Sequence, residues 1–103
     1  EFTRKVYSRM GQFPNHETFG LRSQIRRATI SIPANLAEGC GRATDADFRR
    51  FLMMAMGSAC EVEYLLLLAN DHSYLATDEY VGLNEDIVEV KRMLSGLLAT
   101  LVS

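Results

Sequence analysis

The sequence predicts an all-α fold, an up-down-up-down four-helix bundle, and three observations carry that expectation. Apolar residues recur at helical spacing through four successive stretches, as they do where one face of a helix is buried. Short clusters of glycine, proline, asparagine and serine, residues that suit turns, separate the stretches. Proline is scarce, two in 103 residues, and the 48% hydrophobic content is ordinary for a packed protein and too high for a disordered one. A chain of this length is within the range of one domain, so residues 1–103 are expected to form a single bundle.

The first helix is expected over about residues 2–12, where Phe2, Val6, Tyr7, Met10 and Phe13 trace one side. It should stop at Phe13-Pro14-Asn15, because proline restricts the residue before it. The second is expected over about 18–38, with Leu21, Ile25, Ala28, Ile32, Asn35 and Leu36 on its stripe. Pro33 removes one intrahelical hydrogen bond and predicts a kink, with Thr29 or Ser31 able to relieve the freed carbonyl. Gly39-Cys40-Gly41 is expected to end the helix through a left-handed turn.

The third helix, about 45–70, carries the strongest pattern. Thr44 or Asp45 caps it, and Asp45 and Asp47 suit its positive end. Phe48, Phe51, Leu52, Ala55, Ala59, Val62, Leu66 and Ala69 form its core stripe. Met53, Met54, Met56, Cys60, Leu65, Leu67 and Leu68 cover most of the remaining circumference. A helix apolar on nearly all sides needs burial on nearly all sides, which one small bundle cannot supply. The surplus face therefore predicts association with another copy, through Met53, Met56, Cys60 and Leu67. The fourth helix is expected over about 79–101, capped by Thr77 or Asp78, with Leu83, Ile87, Val90, Leu94, Leu97, Leu98 and Leu101 inward.

No stretch reaches ~20 consecutive apolar residues, so no membrane span is expected. Cys40 and Cys60 lie in unlike contexts and read as free thiols in a reducing cytoplasm. The chain starts at Glu1 without a methionine, and the first helix is expected to be a truncated one. The net charge of −2 hides an asymmetry: residues 1–50 carry +4 and residues 51–103 carry −6. Either basic helices pair with acidic ones inside the bundle, or a basic surface is open to an anionic partner.

The stretch from Phe13 to Arg42 and the stretch from Phe48 to Ala69 resemble the family of four-helix bundles encoded by intervening sequences in bacterial 23S rRNA genes. The residues that carry the resemblance are Gly20-Leu21, Gln24 and Arg26-Arg27-Ala28, then Ser31, Pro33, Asn35 and Ala37-Glu38-Gly39, then Gly57-Ser58, Glu61 and Glu63. They match the pattern GL-x-x-Q-x-RRA, S-x-P-x-N-x-AEG and GS-x-x-E-x-E in order and spacing. Cys40 departs from it, standing where an aromatic is common, and the fourth helix matches only in general character. The resemblance implies a left-handed bundle assembled as a ring-shaped homopentamer. A related branch, the accessory protein of diversity-generating retroelements, looks like a basic ring that binds nucleic acid and a reverse transcriptase; the acidic balance here counts against that branch. No settled activity follows from the family.

Catalysis is not expected. His16 and His72 lack partners at metal-ligand spacing, and the Glu-x-x-His of di-metal bundles is absent. Cys60 reads as a core residue, and Gly39-Cys40-Gly41 opens no phosphate loop. No cofactor or metal is therefore expected. Arg4, Lys5, Arg9, Arg22, Arg42, Arg49 and Arg50 are the basic residues expected to stay clear of internal pairing and to contact RNA or DNA. No aromatic residues interleave with them as a stacking platform. Arg26, Arg27, Glu61 and Glu63 are assigned to a structural ion network between helices. A protein-interaction scaffold that touches no nucleic acid is the competing expectation.

Overall fold

The computed structural model describes residues 2–10 and 18–101, and the side chains of 2–6 and 20–101 within them. Among the described residues there are four α-helices: α1 Phe2–Met10, α2 Ser23–Cys40, α3 Asp45–Asp71 and α4 Thr77–Thr100. No strand is present among the described residues. The expected stop at Phe13-Pro14-Asn15 lies outside the described residues. A π-helical turn, Thr18–Arg22, runs directly into α2 and was not anticipated from the sequence. The bundle measures 45 × 23 × 19 Å, its long axis set by α3.

Short connections force α2, α3 and α4 to reverse direction in turn. α3 is the central element and packs against both α2 and α4, while α1 bridges α2 and α4 on the far side. The core forms where the inward stripes meet: Val6, Ile25, Ala28, Ile32, Leu52, Ala55, Ala59, Val62, Leu66, Ile87 and Leu94. Burying each valine, leucine or isoleucine among them stabilises by roughly 1.5–3 kcal/mol, and each alanine by less. Two assignments are corrected. Leu65, expected on the surplus face, is buried, and Leu97, expected inward, is exposed.

The helix ends follow local chemistry. Thr44 Oγ1 accepts a hydrogen bond from the Asp47 N–H at 3.1 Å, satisfying one of the free donors of α3. At α4 the cap residue is Ala76 rather than Thr77 or Asp78, and Glu79 reaches back to accept from the Ala76 N–H at 3.2 Å. α2 runs through Pro33 unbroken. Ser31 and Thr29 do not relieve the carbonyl that Pro33 frees. Ser31 Oγ accepts from Asn35 Nδ2 and Ser58 Oγ, and the buried Thr29 hydroxyl has no partner.

The end of α2 differs from expectation. Gly39 and Gly41 both have ordinary negative φ, and α2 closes through short bonds from the Gly41 and Arg42 N–H groups to Glu38 and Gly39 carbonyls. Gly39 serves packing instead. A Cβ there would lie 2.9 Å from Phe48 Cδ1 and 3.0 Å from Phe51 Cβ, so the missing side chain lets α3 approach α2 closely.

Candidate self-association surface and the distribution of charge

The inward stripe of α3 commits its outward face by geometry, since successive residues step 100° around the axis. Met53, Gly57, Cys60, Tyr64 and Leu67 follow one another by four or three residues and so share one outer strip. Met53 is 49% exposed, Tyr64 59% and Leu67 42%, with Met54 beside them. Gly57 opens a notch in the strip, because nothing lies within 4 Å of where its Cβ would be. Only 39% of the most apolar 18-residue window of α3 is buried. By length and composition alone α3 can cross a membrane, contrary to the sequence expectation, yet its other face forms the bundle core.

Of the four residues expected at an interface, Met53, Cys60 and Leu67 lie on the exposed strip. Met56 is half-buried and packs on the chain's own core. Cys60 is thus a surface residue, which corrects its reading as a core thiol; Cys40 is exposed as well.

Of the residues expected in an ion network, Glu63 pairs with a lysine of α4. Glu63 turns to α4, where its Oε1 receives Lys91 Nζ at 2.7 Å, with both side chains about one-third exposed. The Glu63 hydrogen bond holds the Lys91 ammonium above lysine's ordinary value, against partial desolvation and with a smaller push from Cys60 nearby. Glu61 points elsewhere. It lines a polar cleft of about 140 Å³ between α2 and α3 together with Gln24, Arg27, Ser31 and Ser58. Ser58 Oγ donates to Ser31 Oγ at 2.7 Å, tying α3 to α2 beside the cleft, and within α2 Asn35 Nδ2 donates to the Ser31 carbonyl at 2.8 Å. Arg27 and Glu61 share this cleft without forming an ion pair among the described residues.

Most of the residues expected to meet nucleic acid are engaged within the chain. Lys5 pairs with Asp86 of α4 at 2.7 Å, Arg42 with Glu38 at 2.9 Å, and Arg50 sits 3.6 Å from Asp47. Arg42 and Arg50 also lie over the Phe51 ring, at 4.7 and 4.6 Å from its centroid. These three are therefore occupied internally, which corrects the expectation that they stay clear of pairing. Arg4, Arg22 and Arg26 are each engaged by a neighbour. Arg49 is half-buried, and the side chain of Arg9 lies outside the described residues. No group of three or more His, Cys, Asp or Glu side chains able to hold a metal ion occurs among the described residues.

Comparison with known proteins agrees with this architecture. A crystal structure of a protein of unknown function from the S23 ribosomal protein family of Bacteroides thetaiotaomicron VPI-5482 superposes with a TM-score of 0.87 at 28% identity, covering 94% of this chain and 91% of that one. No curated protein matches. The family model described as 23S rRNA-intervening sequence protein matches residues 1–96. With that match spanning nearly the whole chain, the protein belongs to the 23S rRNA-intervening sequence protein family.

Proposed function

We propose that this chain is a non-enzymatic scaffold that works as a homo-oligomer, built by burying the outer strip of α3 against further copies. One observation carries the reading: Met53, Tyr64 and Leu67 expose a continuous apolar strip on a helix whose opposite face is fully packed. Single exposed apolar residues are ordinary, but a contiguous strip marks a contact surface. The occupant is protein rather than lipid, because Glu61 and Glu63 lie on the same helix beside the strip and charges are costly in hydrocarbon. A small chain gains a large share of its burial by association. A ring-shaped homopentamer of left-handed bundles is the assembly this reading favours, within a bacterial cytoplasm.

Thiol labelling tests it. Cys60 lies on the strip and Cys40 away from it, at the end of α2. Cys40 should react at the same rate at all protein concentrations, whereas Cys60 should be protected when concentrated and become reactive on dilution. Equal, concentration-independent labelling of both thiols would refute the burial of this strip.

A second reading, binding of RNA or DNA, is favoured by the charge of α2. Residues 18–37 contain Arg22, Arg26 and Arg27 and no acid, so repetition around a ring would multiply weak phosphate contacts. Labelled RNA and duplex DNA titrated across salt decide it. Binding that weakens steeply with salt supports the reading, and no binding at low salt removes it.

A further inference from the structure

We infer that the cleft between α2 and α3 binds a small zwitterion, an α-amino acid about the size of glycine or alanine, with its carboxylate on Arg27 and its ammonium on Glu61. An arginine and a glutamate share one small cleft there and leave each other unpaired.

Helical spacing brings the polar residues of two helices to one place. Gln24, Arg27, Ala28 and Ser31 stand at i, i+3, i+4 and i+7, on one face of α2. Ser58 and Glu61 stand at i and i+3 of α3. The 2.7 Å bond from Ser58 Oγ to Ser31 Oγ fixes the register between the two helices. α2 and α3 run antiparallel, so one turn back along α2, at Arg27, is level with one turn forward along α3, at Glu61. These six residues line a cavity of about 140 Å³. Ala28 is buried, Ser31 and Ser58 are half-buried, and Gln24, Arg27 and Glu61 are exposed, so the charged groups stand toward its mouth.

The single chain makes no use of the groups at the mouth. Gln24, Arg27 and Glu61 form no hydrogen bond or ion pair among the described residues. Their neighbours do: Arg26 is engaged, and Glu63 holds Lys91. Yet all six lining residues belong to the sequence pattern that marks the family. GL-x-x-Q-x-RRA supplies Gln24, Arg27 and Ala28, S-x-P supplies Ser31, and GS-x-x-E supplies Ser58 and Glu61. Two stretches of chain thus build one polar cleft, and packing within the bundle accounts only for Ala28 and the serine pair.

Size and chemistry select the ligand. Since about 150 Å³ is enough to hold benzene, the cleft takes a molecule of roughly six non-hydrogen atoms. The Arg27 guanidinium presents a charged fork that meets a carboxylate through two parallel hydrogen bonds. The Glu61 carboxylate only accepts, and so calls for an ammonium or another donor. A lone anion would satisfy Arg27 and be repelled by Glu61, and a lone cation would do the reverse. A molecule carrying both charges a few bonds apart satisfies both, with the Gln24 amide able to donate or accept beside them. Ala28 is the one apolar side chain on the lining and offers little contact to a large side chain, which favours a small amino acid. The site does not depend on the self-association proposed above.

Methyl spectra of the full chain labelled at alanine test it, with Ala28 on the lining as reporter and Ala69, buried and off the lining, as reference. Glycine should shift the Ala28 signal saturably and leave Ala69 unmoved. Acetate and methylammonium, which carry one charge each, should bind about tenfold more weakly or worse, because one charge-assisted contact is worth at least that factor. Arg27→Gln and Glu61→Gln should each weaken glycine binding by a similar factor. Both should keep their helix content by circular dichroism, since the replaced side chains are exposed. No saturable shift with glycine or L-alanine overturns the inference. Acetate that binds as tightly as glycine overturns it too, and reduces the cleft to an anion contact. So does loss of assembly in both variants with no amino acid bound, because a second copy would then answer the two charges. A monomeric wild type that binds glycine would leave this site standing and remove the association.

Discussion

Replacing Gly39 by alanine is the sharpest probe of how α2 and α3 fit together. The added Cβ would stand 2.9 Å from Phe48 Cδ1 and 3.0 Å from Phe51 Cβ, closer than side-chain carbons tolerate. The Phe48 ring is half-buried and can swing, but Phe51 Cβ is fixed to the α3 backbone. Phe51 is itself buried, with Arg42 and Arg50 held over its ring, so relief requires α3 to move as a unit. Overpacking of this kind costs about 1–3 kcal/mol. The alanine returns at most about 1 kcal/mol of helix preference, and less near a helix end. The net expectation is a loss of about 1–2 kcal/mol, or roughly 4–8 °C in Tm for each kcal/mol. Gly82→Ala and Gly96→Ala are the controls, because nothing lies within 4 Å of a Cβ at either site in α4. Both should stabilise by roughly 0.5–1 kcal/mol from propensity alone. Urea unfolding at one fixed protein concentration measures all three, since assembly makes stability depend on concentration. Gly39→Ala moving in the same direction as the two controls would refute the close-approach argument.

Two further perturbations follow from the polar contacts. Ser31→Ala removes the acceptor of Ser58 Oγ and one of the two acceptors of Asn35 Nδ2, which keeps the Ser31 carbonyl, whereas Ser58→Ala removes one bond and leaves Ser31 with Asn35. At about 1 kcal/mol per net hydrogen bond, the Ser31 variant should be the less stable in urea, and equal losses would contradict the shared acceptor. The raised value of Lys91 sets a pH dependence. A group whose folded value is raised contributes fully below its unfolded value, here near lysine's ordinary 10.5, and loses that contribution as pH rises through the folded value. The stability gap between wild type and Lys91→Met should be at most about 1 kcal/mol at neutral pH, since the pair is partly exposed, and should close in the alkaline range. A gap unchanged across that range would rule out the ion pair as its source.

Much of the core was legible because period alone finds it: Leu52, Ala55, Ala59, Val62 and Leu66 fall on one side of α3 at helical spacing, and all are buried. Period cannot choose between Leu65 and Leu67, since a helix apolar all round offers no polar side to exclude. The neighbours decide, and Leu65 is buried where Leu67 is exposed. Gly39 misled for a related reason: a left-handed turn and a close helix contact both ask for a missing Cβ. The Glu61 and Glu63 assignments contained an error visible in the sequence. Two residues apart on a helix means about 200° apart, so both cannot face α2, and Glu63 belongs to the α4 side. The pairing of Lys5 with Asp86, 81 positions away, needed the fold itself. The charge asymmetry between the two halves of the chain was legible from the outset, whereas the ion pairs its residues form within the fold were not.

The central claim is that the outer strip of α3 is an interface between copies, and native mass of the wild type beside Met53→Glu and Leu67→Glu tests it most directly. Both positions are about half exposed in the single chain, so a carboxylate there should leave the fold intact while placing an unpaired charge in the contact. The account predicts a wild-type mass at a multiple of 11.6 kDa and variants that fall to the single-chain mass with unchanged helix content. A wild type at 11.6 kDa at micromolar concentration, or variants that keep the wild-type assembly, would contradict it.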